Sequence, residues 1–164
     1  DPFVLKAGGI YHMWYIFGQR WVEPATGGDA ERVYKIAHAT STDCLHWSRD
    51  SRPILEDSLN ADECQALPTV LQLGDSYHMY FCYREAHGFR ERREASYRIG
   101  YAYSPDLINW VRNDQRAGLA VPEDGWDSQM QCYPHIFQCD GQVHLLYNGN
   151  EFGRHGFGLA TLEL

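Results

Sequence analysis

Glu63 and Gln65 lie two residues apart just ahead of Pro68, so on an extended chain they share one face. Gln131 holds the matching place ahead of Pro134. Glu63 is the candidate acid to look into a pocket, with an exposed loop acid as the alternative, and Asp62, Asp127 and Glu151 stand at strand entries or exits. Two carboxylates facing one bond can do acid–base work, one giving a proton while the other activates water or attacks. Arg84 is placed to hold a carboxylate or hydroxyl group, or to pair with Glu85 or Asp75. Asn148 and Asn150 offer amides to a polar ligand, although Asn-Gly-Asn is also ordinary turn chemistry. Trp14, Trp21, Tyr83 and Trp126 are flat platforms for stacking.

A repeat positions these residues. Prolines at 2, 68 and 134 and histidines at 12, 78 and 144 each recur at an interval of 66. A fixed period of that size signals a repeat architecture. In each copy a short apolar run, a turn and an aromatic, β-branched run (residues 11–17, 77–83 and 142–147) predict a strand pair. Third strands follow over 33–39, 97–103 and 156–162. The loop over 85–96, carrying Arg90, Arg92 and Arg93, reads as a solvated tip. Two copies end on S-x-D-x-x-x-W, at Ser41, Asp43, Trp47 and at Ser104, Asp106, Trp110. There the Asp favours a turn and the Trp plugs neighbouring sheets. Repetition marks Trp47 and Trp110 as core, and the three histidines as architectural.

Four antiparallel strands per copy make one propeller blade. The expected fold is all-β, a single partial propeller with blades over 1–60 and 61–126 and an incomplete blade over 127–164. No helical pattern of convincing length is present, and the last copy lacks its fourth strand before the chain ends at Leu164.

Composition narrows the partners. A net charge of −8 argues against nucleic acid, and no apolar run approaches the ~20 residues of a membrane span. The five cysteines, with no C-x-x-C pair, signal neither a disulfide framework nor a zinc site. They point to free thiols in a reducing compartment, hence a cytoplasmic protein with no metal or cofactor.

The pattern D-P at residues 1–2, G-x-Y-x-M-x-Y at 9–15 and the S-x-D-x-x-x-W endings resemble the five-bladed propellers of glycoside hydrolase families 43 and 32. The third copy resembles the C-terminal blade of glycosidase-like proteins. The resemblance implies a carbohydrate-active propeller that hydrolyses or binds a glycan in a central pocket. It makes Asp1 the base, with Leu67 and Tyr133 as its counterparts. The related acid position is Gln65 in one copy and Gln131 in the next, and Gln cannot deliver a proton. That favours a non-catalytic module that binds saccharide or protein, or a half-ring that works only as an oligomer. If the chain cuts glycosidic bonds, Asp1 and Glu63 are the expected carboxylates, with the amides, Arg84 and the aromatics binding sugar. A five-bladed ring needs roughly twice this chain. A homodimer, or further N-terminal blades, is expected to cover the open faces.

Overall fold

The computed structural model describes residues 1–24 and 27–162. Residues 25–26, and the end of the third copy around Leu164, lie outside the described residues. Three antiparallel sheets follow one another along the chain. The first holds β1 (Phe3–Ala7), β2 (Ile10–Val22), β3 (Glu31–Ser41) and β4 (Ser48–Arg49) in that order. The second holds β5 (Cys64–Leu73), β6 (Ser76–Arg84), β7 (Arg98–Ser104) and β8 (Val111–Arg112). The third contains β9 (Cys132–Cys139), β10 (Gln142–Asn148) and β11 (Phe157–Thr161). Each is a simple meander, as expected of propeller blades. The first hairpin of blades two and three turns on a glycine with positive φ, Gly74 at 58° and Gly141 at 79°.

The blades stack face to face. Between the first and second, Trp14 and Ile36 meet Val70, Met79 and Phe81. Trp110 closes that interface edge-on to Trp14, with centroids 5.8 Å apart and planes at 88°. Between the second and third, Tyr80, Cys82 and Tyr101 pack with Ile136, Val143 and Leu145. Each large apolar side chain buried here is worth about 1.5–3 kcal/mol.

The S-x-D endings fold as paired turns. Asp43 Oδ1 accepts from the amides of Leu45 (2.9 Å) and His46 (2.8 Å), and Asp106 Oδ1 from those of Ile108 (2.9 Å) and Asn109 (2.8 Å). Side-chain and backbone donors of His46 hold the Asp43 carboxyl far below its usual range, and those of Asn109 do the same for Asp106. The repeated histidines brace their blades. Each reaches the third strand: His12 to His38 at 3.0 Å, His78 to the Tyr101 hydroxyl at 2.7 Å and His144 to the Thr161 hydroxyl at 3.1 Å.

Two features depart from the sequence reading. Strand β2 runs on past the expected strand end at residue 17 to Val22, pairing with Glu31, and makes a long hairpin arm. The 85–96 loop is only partly a solvated tip: residues 90–94, with Arg90, Arg92 and Arg93, are exposed, whereas Phe89 and Ala95 are buried where the loop folds back over the end of β6.

Candidate functional site

The innermost strands, β1, β5 and β9, run side by side, and two carry the same irregularity. Leu67 before Pro68 and Tyr133 before Pro134 both adopt left-handed backbone, with φ of 49° and 58°. At these points the ladder slips, between Ala66 and Thr69 on β5 and opposite Leu146 and Asn148 on β9. Proline disfavours helical backbone in the residue before it, and the bulge supplies the extra residue. Left-handed backbone at a branched or bulky residue costs about 1–3 kcal/mol and persists only where its surroundings enforce it. The bulge sends Leu67 and Tyr133 into a cleft of about 600 Å³, where they meet Asp1. Ile16, Gly18, Arg32, Tyr34, Ala66 and Tyr97 complete the wall.

One wall of the cleft is a phenol pair backed by a cation. The hydroxyls of Tyr34 and Tyr97 are 2.7 Å apart, and Arg84 Nε donates to Tyr34 Oη at 3.2 Å. Arg84 is buried, stacks on Phe89 at 3.6 Å and donates Nη1 to the carbonyls of Glu85 and Ala86. Burial pushes Tyr34 up to about 12, against the pull of Arg84. Burial raises Tyr97 and Tyr133 as well. All three phenols therefore stay neutral at ordinary pH and offer donors and aromatic surface rather than charge.

Glu63 takes a different place from the one expected. It is fully buried and does not line the cleft. Its carboxylate accepts from Arg112 Nη1 (2.5 Å), Gln65 Nε2 (3.0 Å) and the amides of Ser58 (2.9 Å) and Leu59 (3.0 Å). Burial raises its pKa, but Arg112, Gln65 and Ser58 together outweigh burial and hold the carboxyl below its usual range. A carboxylate so held is a poor proton donor, so the acid role falls. Gln65 is committed to the same network, donating to Asp57 (3.1 Å) and Glu63. In the third blade, Gln131 likewise donates to Asp127 (3.0 Å), which also accepts from the Tyr147 hydroxyl (2.9 Å). Both glutamines thus anchor the roots of their inner strands.

Trp14 is fully buried between two blades and has no free face for a ligand, which corrects its expected stacking role. Tyr83 lies against Arg112, 4.5 Å from its ring centroid. Asn150 spends its amide on the backbone, accepting from Gln129 and Met130 (2.9 Å each) and donating to Gly125 (3.0 Å). Asn148 donates to the Phe152 carbonyl at 3.1 Å, and Glu151 pairs with Arg154 (2.9 Å) and His155 (3.0 Å). These three are turn residues. Trp126 keeps one side open; the other stacks on Tyr147 at 5.5 Å over a shelf made by Gly149 and Gly158, where a Cβ would strike the indole.

Tyr34, Tyr97 and Arg32 were not singled out from sequence. A signal for the tyrosines was present. Ser41 and Ser104, Trp47 and Trp110, and Tyr34 and Tyr97 all lie 63 residues apart, so the third strands repeat on a shorter interval than the first and second. Among the described residues, no group of three or more His, Cys, Asp or Glu side chains comes together to hold a metal ion.

No family model matches the sequence. Uncharacterized proteins from two Mycobacterium tuberculosis strains, CDC 1551 and H37Rv, are each 36% identical over 162 residues, covering 99% of this chain and 50% of theirs. The chain thus spans about half the length of the curated relatives it matches. Among solved structures, a family 117 glycoside hydrolase produced by Zobellia galactanivorans superposes with a TM-score of 0.71 at 17% identity, over 96% of this chain and 49% of that one. A thermostable family 43 glycoside hydrolase gives 0.70 at 15%, over 100% and 54%. A Bombyx mori family 32 β-fructofuranosidase in complex with sucrose gives 0.65 at 18%, over 98% and 33%. At such identities the likeness establishes architecture and not activity. The chain is a run of β-propeller blades of the kind that builds these glycoside hydrolases.

Proposed function

We propose that this chain is the saccharide-binding part of a glycosidase-like propeller, and that its axial cleft holds a glycan without cutting it. The observation that carries this reading is the carboxylate inventory. Among the described residues, Asp1 is the one acid lining the cleft, and the positions expected to supply a partner are Gln65 and Gln131, both buried and engaged. Glycoside hydrolysis ordinarily needs two carboxyl groups flanking the bond. What remains suits binding: neutral phenols, an aromatic wall and one acceptor acid. The sucrose held by the Bombyx mori neighbour lends support. The test is a saccharide panel read by thermal shift beside a chromogenic glycoside screen. Stabilisation without turnover is expected; turnover overturns the non-catalytic reading, and no response to any saccharide overturns the binding reading.

Trp47 favours an assembled ring. Its counterpart Trp110 seals the first blade against the second, whereas Trp47 borders an open cavity of about 550 Å³ with Met13, Tyr15 and Leu45. At the other end of the arc Phe157 and Leu159 are 72% and 59% exposed. Apolar faces of this kind mark association surfaces. We infer that another blade covers the Trp47 face, from a second copy or from further N-terminal chain. A concentration-independent monomer of this chain with sharp unfolding removes the homodimer. Five cysteines, none in a disulfide, favour a reducing compartment such as the cytoplasm.

A further inference from the structure

The rim around the axial cleft differs in charge from the rest of the chain. Eight of the twelve arginines fall within residues 18–32, 84–98 and 148–157, although the chain carries −8 overall. These segments join second to third strands in the three blades. Most of the rim arginines are engaged. Arg20 pairs with Asp62 (2.6 Å), Arg90 with Glu31 (3.1 Å), Arg92 with Glu85 (3.2 Å) and Arg154 with Glu151 (2.9 Å). Arg93 donates to the Pro122 carbonyl (2.6 Å), Arg98 to that of Gln129 (2.8 Å), and buried Arg84 backs Tyr34.

Arg32 is the exception on this rim. It is exposed, lines the cleft, and makes no ion pair with any described residue. Its guanidinium lies over Trp21, 5.5 Å from the ring centroid. Stacking uses the flat face of a guanidinium and leaves its N–H edge free, and that edge matches a planar carboxylate bidentately. No tyrosine in the cleft competes as an anion, since burial keeps Tyr34, Tyr97 and Tyr133 neutral.

We propose that Arg32 is the counter-ion for an anionic group on the bound glycan, so that the cleft selects an acidic saccharide over its neutral counterpart. This rests on the reading of the cleft as a saccharide site. Asp1 lines the same cleft and repels an anion, so it fixes the polarity: the acidic group lies toward Arg32, and hydroxyls lie toward Asp1. The shared chemistry is a negatively charged substituent, either a uronate carboxylate or a sulfate ester.

Calorimetric titration of the intact chain tests this, using an oligogalacturonide, a sulfated galactose oligosaccharide and the uncharged galactose oligosaccharide, each in low and high salt. At least one acidic ligand is expected to bind about tenfold tighter than the neutral one, the scale of one charge-assisted hydrogen bond. Arg32→Ala should erase that preference, weakening the acidic ligand more than the neutral one. Arg32→Lys should keep a salt-sensitive part of it, less for the planar carboxylate than for the sulfate. Preference for the oligogalacturonide identifies the carboxylate, and preference for the sulfated ligand identifies the ester. If the neutral ligand binds as well as both acids and Arg32→Ala changes nothing, the anion inference falls while the saccharide reading stands. If none of the three binds, both fall.

Discussion

Glu63→Gln separates a structural carboxylate from a functional one. The Glu63 side chain is fully buried and accepts from a guanidinium, a side-chain amide and two backbone amides. Glutamine keeps one acceptor oxygen and turns the other into a donor. Whichever way it is placed, an NH₂ faces Arg112 and Gln65, or else the amides of Ser58 and Leu59. Arg112 keeps Asp114 at 2.8 Å but loses its contact with Glu63. Breaking one side of a buried pair costs about 3–5 kcal/mol. For a chain of this size each kcal/mol moves Tm by roughly 2–4 °C, so a drop of about 6 °C or more is expected in scanning calorimetry. The pH dependence follows from the same contacts. The folded pKa of Glu63 lies below its unfolded value of 4.5. Its contribution is therefore complete above that value and is lost as pH falls through the lower, folded pKa. The variant should lose this acid-side loss of stability along with its overall stability. A variant that keeps wild-type Tm while losing its response to saccharide would refute the reasoning and restore Glu63 to the site.

Two further substitutions probe the blade interfaces. Trp110→Ala should cost about 3 kcal/mol in denaturant unfolding, because it empties the contact with Trp14. Trp47→Ala, at the equivalent place on the open face, should cost well under half of that in the monomer; equal losses would mean that the Trp47 face is already covered. Gly100→Ala puts a Cβ 2.4 Å from the buried ring of Phe81, and overpacking of that kind should cost about 1–3 kcal/mol; an unchanged Tm would mean that the second and third strands of this blade pack less closely than described.

The architecture was legible because the repeat is written in residues that must recur. Prolines on or just ahead of the inner strands, aromatic second strands and the S-x-D-x-x-x-W turns each answer a local physical need, and each folds as that need dictates. The site was legible only in part. Asp1, Leu67 and Tyr133 do meet, as their shared repeat position implies. Period two correctly set Glu63 and Gln65 on one face, but it cannot say whether that face meets a cleft or a neighbouring blade. Arg112, 49 residues further on, decides the matter by supplying the charge that makes burial tolerable. Trp14 misled for a similar reason, since an aromatic at a strand centre reads alike as platform or plug. The tyrosine pair was hidden because loop lengths change between copies and shift Tyr34 against Tyr97 off the main period.

The most direct test of the central claim is isothermal titration of acidic and neutral saccharides into the chain, with glycosidic bond cleavage followed in the same samples. The structure predicts saturable binding, lost when Tyr34 and Tyr97 are both changed to Ala, and no released sugar. Cleavage that depends on Asp1, or no binding of any saccharide to a folded chain, would contradict it.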